Sequence, residues 1–285
     1  MAGSLITAGF AALAILVNGH PVENNELIRR LGVPSRIVGG DTAPEAYAPY
    51  MAALVCGESV KSLICGSSII SKRHILTAAH CIDPVVVNDV LISSFHAVIG
   101  SNLWNSTKHI AKFSNFLNHP SWDSQRIKND VGVLNLTKEL ELNDRVAVVT
   151  LSFDWINGGV RSSVTGWGRL GVTTTGHIVI MYPYSDELQL LYLETMSPQQ
   201  CAAALDKAAT TWNSSLVLDS ELEMCTLHSV GHGLCYGDSG SPLISRETGH
   251  QIGIASWAHP CARGVPDVFA RINSSKDSLL PILRS

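Results

Sequence analysis

Gly237-Asp238-Ser239-Gly240-Ser241-Pro242-Leu243 sets one serine between glycines, directly ahead of a short apolar run. A serine hydroxyl is a weak nucleophile until a base takes its proton. Flanking glycines let backbone N–H groups approach a reacting carbonyl oxygen. Two upstream segments supply the missing parts. Thr77-Ala78-Ala79-His80-Cys81 offers an imidazole, and Asn129-Asp130-Val131-Gly132-Val133-Leu134 offers a carboxylate at the start of an apolar strand. An imidazole accepts a proton near neutral pH, and a buried carboxylate fixes its tautomer and stabilises the imidazolium. Each piece alone is commonplace: a core imidazole, a turn, a loop. In the order His80, Asp130, Ser239 they compose a nucleophilic triad.

Around these segments the chain is strand-like. Short apolar runs bounded by Gly, Asn, Ser and Pro recur at Ala52–Val55, Ser68–Ile70, His96–Ile99, Val131–Leu136, Val146–Leu151, Gln189–Leu193, Leu243–Ile244 and Ile252–Trp257. That pattern predicts an all-β sandwich or barrel. Two helices are predicted. Ser197–Lys207 has a serine cap, Pro198 at its first position and an alanine run. The tail from Ser274 opens with serines and is expected to break at Pro281.

The 285 residues suffice for one large domain, and 46% apolar against 15% charged residues excludes a disordered chain. A net charge of −4 gives no general pull toward nucleic acid or anionic lipid. Residues 1–19 carry no charged side chain, and Leu5–Val17 is almost wholly apolar. The run is too short to span a bilayer and fits a secretory signal peptide with Gly19 as its cleavage point. In an oxidising compartment the seven cysteines read as bridges, with at least one left free or paired between chains. His228 and His232 sit near Cys235, but glycines surround them and no metal site is expected. No cofactor is expected either. Four Asn-X-Ser/Thr triplets, at Asn105, Asn135, Asn213 and Asn273, are glycosylation candidates.

With Ile37-Val38-Gly39-Gly40, Gly166-Trp167-Gly168, Ser256-Trp257 and Pro266-Asp267-Val268-Phe269-Ala270-Arg271 added to the triad segments, residues 37–285 resemble a chymotrypsin-fold serine endopeptidase. The closest resemblance is to arthropod chymotrypsin-type and collagenolytic digestive enzymes. It implies two six-stranded antiparallel β-barrels, a C-terminal helix and an active site between the barrels. It makes Ser239 the nucleophile, His80 the general base and acid, and Asp130 the orienting carboxylate. The N–H groups of Gly237 and Ser239 would form the oxyanion hole. It pairs Cys65 with Cys81, Cys201 with Cys225 and Cys235 with Cys261, leaving Cys56 as a buried free thiol.

The same resemblance divides the chain into a signal peptide (1–19), an activation propeptide (20–36) and the protease domain (37–285). A trypsin-like activator would cut after Arg36, and the new Ile37 ammonium would pair with Asp238. The specificity pocket would have Gly233 as floor, Asp267 on one wall, Ala258 at the rim and Ser256 and Trp257 along the side. A neutral floor suits large apolar side chains, and Asp267 adds a route to basic ones. Arg169–Met181 is expected to be a mobile surface loop. The expected partners are protein or peptide substrates, the activating protease and protein inhibitors, but neither nucleic acid nor membrane. The expected protein is a secreted monomer, extracellular or in a gut lumen. The alternatives are a non-digestive processing protease and a non-catalytic homologue that binds partners. Such homologues typically lose the nucleophile, and here all three triad residues are present.

Overall fold

Continuous apolar runs form strands here because both faces of the strand are covered. In Met51–Cys56 (β1), Ala52 and Leu54 enter one core cluster, while Met51, Ala53 and Val55 enter another. The two-residue period of a strand divides one run between two cores. The computed structural model describes residues 16–17, 20–21, 37–175, 178–212, 216–259 and 261–284. Leu16–Val17 and His20–Pro21 pair antiparallel within a separate unit, Met1–Pro34. The rest of the expected signal peptide and propeptide, with Arg36, lies outside the described residues, as does Asn213.

Five further strands complete the first barrel: Ser62–Ile69 (β2), His74–Thr77 (β3), Phe95–Ile99 (β4), Ile110–Asn118 (β5) and Gly132–Leu136 (β6). Antiparallel ladders join them in the closed order β5-β6-β3-β2-β1-β4. The second sheet contains Arg161–Gly166 (β7), Gln189–Glu194 (β8), Glu223–Thr226 (β9), Pro242–Ser245 (β10), Gln251–Trp257 (β11) and Asp267–Arg271 (β12). Its order is β9-β12-β11-β10-β7-β8, with Asp41–Thr42 as a short seventh strand beyond β8. Thr195 bridges Thr226, and Met196 N–H donates to Cys225 O (2.8 Å). This one junction closes the six strands into the second barrel.

The barrels share a core. Ile244, Ile254, Ala270 and Ile272 from the second pack with the first-barrel cluster, and so does Leu279 of the C-terminal helix. Val146–Leu151, expected as a strand, is instead the connection between barrels. Val149 N–H donates to Ile69 O (2.9 Å), and Val146, Val149 and Leu151 are buried, which accounts for its apolar composition. The predicted central helix runs Pro198–Trp212 (α2). Ser197 Oγ accepts from Gln200 N–H (3.2 Å) and Gln200 Oε1 accepts from Ser197 N–H (3.2 Å), a reciprocal cap. The tail helix, Lys276–Leu283 (α3), does not break at Pro281 but runs through it. Proline there removes one i→i−4 donor close to the helix end, while Leu279 anchors the helix in the core. The serines do not cap it: Ser274 Oγ donates to Arg271 O instead.

The three disulfides are Cys65–Cys81, Cys201–Cys225 and Cys235–Cys261. Cys56 is unpaired and half-buried at the end of β1, less enclosed than expected. Arg169–Met181 is not a plain loop. Val172–Thr175 and Ile178–Met181 form an antiparallel ribbon, and Arg169 Nη1 donates to Tyr182 O (2.8 Å) at its base.

Candidate active site

Ala79–Ile82 (α1), a single helical turn just after β3, carries His80 and is tied to β2 by the Cys65–Cys81 bridge. Asp130 lies immediately ahead of β6 and is 1% exposed. Its Oδ2 accepts from His80 Nδ1 (2.7 Å) and from Ser256 Oγ (2.5 Å), and its Oδ1 accepts from the His80 backbone N–H (2.9 Å). The carboxylate therefore fixes the ring, the backbone that bears it and the hydroxyl behind it. Burial works against a charged His80, but the Asp130 carboxylate, helped by Asp83, outweighs it and raises the imidazole above its ordinary value. That environment stabilises an imidazolium, the form a base reaches after taking a proton.

Ser239 comes from the second barrel and shares a cleft with His80. The cleft measures about 310 Å³, and its other walls include Ile127, Leu216, Tyr236, Trp257 and Ala258. The Ser239 carbonyl accepts from Gly66 N–H (2.8 Å), and Gly66 follows Cys65 on β2. Among the described residues, neither the Gly237 nor the Ser239 N–H donates to a protein acceptor, so both are available to an incoming oxygen. Gly237 has φ +95°, a left-handed backbone that favours glycine.

Asp238, between those two donors, is fully buried. Its oxygens accept from Gly168 N–H (2.8 Å) and Cys235 N–H (3.1 Å). Burial nevertheless pushes its carboxyl up from 3.8 to about 7, and no cation faces it among the described residues. A Cβ on Gly168 would lie 2.2 Å from Asp238 Oδ2, so the carboxylate occupies space that only glycine leaves free. Ile37 is buried with Val164, Leu191 and Leu234, and Val38 O accepts from Gly233 N–H (3.1 Å). Gly39 takes φ +82° with His232 against it. The Ile37–Gly40 segment is thus seated beside residues 231–233.

Of the residues expected in the pocket, Ser256, Trp257 and Ala258 line this cleft, and Gly233 and Asp267 are not among its lining residues. Asp267 Oδ2 accepts from Leu234 N–H (2.9 Å), and a Gly233 Cβ would stand 2.8 Å from that oxygen. Asp267 fills the volume that a side chain at 233 would use. Burial, with Asp238 adding to it, pushes the Asp267 carboxyl up to about 7. Sequence reasoning missed Ile127, Leu216 and Leu234 as lining residues. Ile127 had a signal in its place three residues before Asp130; Leu216 had none. Cys65, His80 and Cys81 group their ligand-type atoms, but both sulfurs are committed to the bridge and offer no thiolate to a metal. Among the described residues no helix is long and apolar enough to cross a membrane.

Comparison with known proteins agrees with this geometry. The family described as Trypsin matches residues 37–279. Chymotrypsin-2 of Vespa crabro is 34% identical over 242 residues, covering 85% of this chain and 97% of that protein. Trypsin delta of Drosophila erecta is 31% identical, covering 83% and 84%. Duodenase-1 of Bos taurus is 30% identical, covering 87% and 89%.

Proposed function

Since the chain belongs to the trypsin family and is a serine endopeptidase hydrolase acting on protein substrates, we propose that Ser239, His80 and Asp130 carry out the cleavage. One observation carries the reading: Asp130 grips His80 at both its ring and its backbone, while the ring shares a cleft with Ser239. His80 takes the Ser239 Oγ proton as Oγ bonds the scissile carbonyl carbon. The displaced electron pair settles on the carbonyl oxygen, where the Gly237 and Ser239 N–H groups receive it. His80 then gives its proton to the departing amine as the C–N bond breaks. Water repeats the sequence on the acyl-enzyme, which releases the acid and restores Ser239. Asp130 remains ionised throughout and keeps the imidazolium in place.

The apolar lining supports cleavage after large apolar residues. The relatives carry both chymotrypsin and trypsin names, so the choice rests on this chain's own pocket. Asp267, buried and tied to Leu234 N–H, supports a role in shaping the floor. We read residues 1–19 as a signal peptide and 20–36 as a propeptide removed after Arg36, with the freed Ile37 ammonium supplying the cation that Asp238 lacks. The enzyme would then be a secreted zymogen with a digestive role. The test is trypsin activation followed by a reactive organophosphate and peptide mapping. Stoichiometric label on Ser239, with chains starting at Ile37 and cuts after Phe, Tyr, Leu or Met, is expected. Unlabelled Ser239 in chains that start at Ile37 would overturn the assignment.

A further inference from the structure

Lys128 lies on the connection between β5 and β6, two residues before Asp130, and Glu223 opens β9 in the other barrel. Lys128 Nζ donates to both Glu223 oxygens (2.8 and 2.7 Å), and the two side chains are only 15% and 3% exposed. Glu223 is otherwise satisfied by the Trp257 indole N–H (2.7 Å) and the Asp219 N–H (2.8 Å). Lys128 Nζ also stands 5.6 Å from the centre of the Trp257 ring. One carboxylate thus fixes both the ammonium from the first barrel and the indole that walls the cleft.

The loop that carries Lys128 needs holding. Ile127 has φ +55° and Asn129 φ +54°. Left-handed backbone is a true outlier for a β-branched residue and persists only where the surroundings enforce it. Asp123 and Lys128 exchange backbone hydrogen bonds (3.0 and 3.1 Å) on one side, and Glu223 holds the Lys128 side chain on the other. Between them Ile127 lines the same cleft as Trp257 and packs against the core cluster to which Trp257 belongs. A buried ion pair of this kind is poor evidence for stability but well suited to fixing an arrangement.

We propose that Lys128 and Glu223 are positioning residues for extended substrates: their inter-barrel ion pair holds Trp257 and Ile127 in place in the lining along which the peptide lies. This rests on the reading of the Ser239 cleft as the substrate site. A peptide several residues long uses that lining, whereas a small amino-acid ester needs only Ser239 and its immediate surroundings.

The experiment compares KM and kcat for a hexapeptide amide and an amino-acid ester. The variants are Lys128→Met, Lys128→Arg and the double Lys128→Met/Glu223→Gln, each normalised by organophosphate titration of Ser239. Lys128→Met and the double variant should raise KM for the hexapeptide about tenfold while changing ester kinetics by less than about twofold. Lys128→Arg should restore hexapeptide KM to within about threefold of the parent. The double variant guards against misfolding, since it leaves no buried charge unpaired. Equal losses on both substrates, or a double variant with unchanged hexapeptide KM, would overturn the proposal. Failure of the underlying reading looks different: the parent enzyme itself would show no label on Ser239, and both readings would fall together.

Discussion

The two barrels treat buried charge differently. Among the described residues the first buries one carboxylate, Asp130, held by the imidazole and backbone N–H of its own His80 and by the Ser256 hydroxyl from the second barrel. The described residues of the second half bury three: Glu223, Asp238 and Asp267. Glu223 borrows its cation from the first barrel, and among the described residues Asp238 and Asp267 have backbone donors only. Buried carboxylates without a counter-charge are costly in the ionised form. The contrast between the barrels is therefore one of counter-charge, and under the proposed activation the freed Ile37 ammonium would supply it at Asp238.

The sharpest way to break this contrast is Arg36→Gln. If the second barrel awaits the Ile37 ammonium, trypsin treatment of this variant should yield essentially no peptidase activity while far-UV circular dichroism stays native. Full activity without a chain starting at Ile37 would refute it. Next comes Asp130→Asn, which tests whether the first barrel's charge acts directly in catalysis. The amide keeps the shape but favours the wrong His80 tautomer, so kcat should fall about 10⁴-fold with stability little changed. A fall of less than about tenfold would mean that Asp130 serves only to hold the fold.

The smallest effect concerns stability and pH. The Asp238 and Asp267 carboxyls stand near 7 in the folded chain, above their ordinary 3.8. The folded state therefore binds more protons than the unfolded state across that interval. Stability of the uncut chain should be greatest near pH 4 and decline as pH rises toward 7. Asp267→Asn cannot ionise and still accepts from Leu234 N–H. In a Ser239→Ala background, which prevents self-digestion, urea unfolding should show a gain of about 2–4 kcal/mol at pH 8 and almost none at pH 4. An equal gain at both pH values would assign the effect to packing.

Much of this was legible in the residues. Apolar strands such as β1, β4 and β11 are visible because their burial on both faces writes a continuous hydrophobic run. The triad was legible for a different reason: a nucleophile, a base and an orienting acid each need a particular residue type beside a glycine or strand boundary. What escaped follows from the same physics. β7 is Arg-Ser-Ser-Val-Thr-Gly, whose buried hydroxyls carry no hydropathy signal. β5 is largely exposed, and Lys112, Ser114, Asn115 and Asn118 interrupt its apolar residues so that no continuous run marks it. Val146–Leu151 is apolar because it crosses the shared core, and hydropathy reports burial rather than strand pairing. The Lys128–Glu223 pair joins residues 95 positions apart, a contact that local sequence does not encode.

One modest contact has a mechanical consequence. The Ser239 carbonyl is held by Gly66 N–H, Gly66 is bonded to Cys65, Cys65 to Cys81 and Cys81 to His80. The path from nucleophile to base thus crosses the barrel boundary through a single non-covalent link. Two residues along the same strand, Ser68 Oγ donates to Gln251 Oε1 (2.7 Å) across the boundary again. Both ties lie on β2, so any shift of this one strand would carry to the nucleophile and the base together.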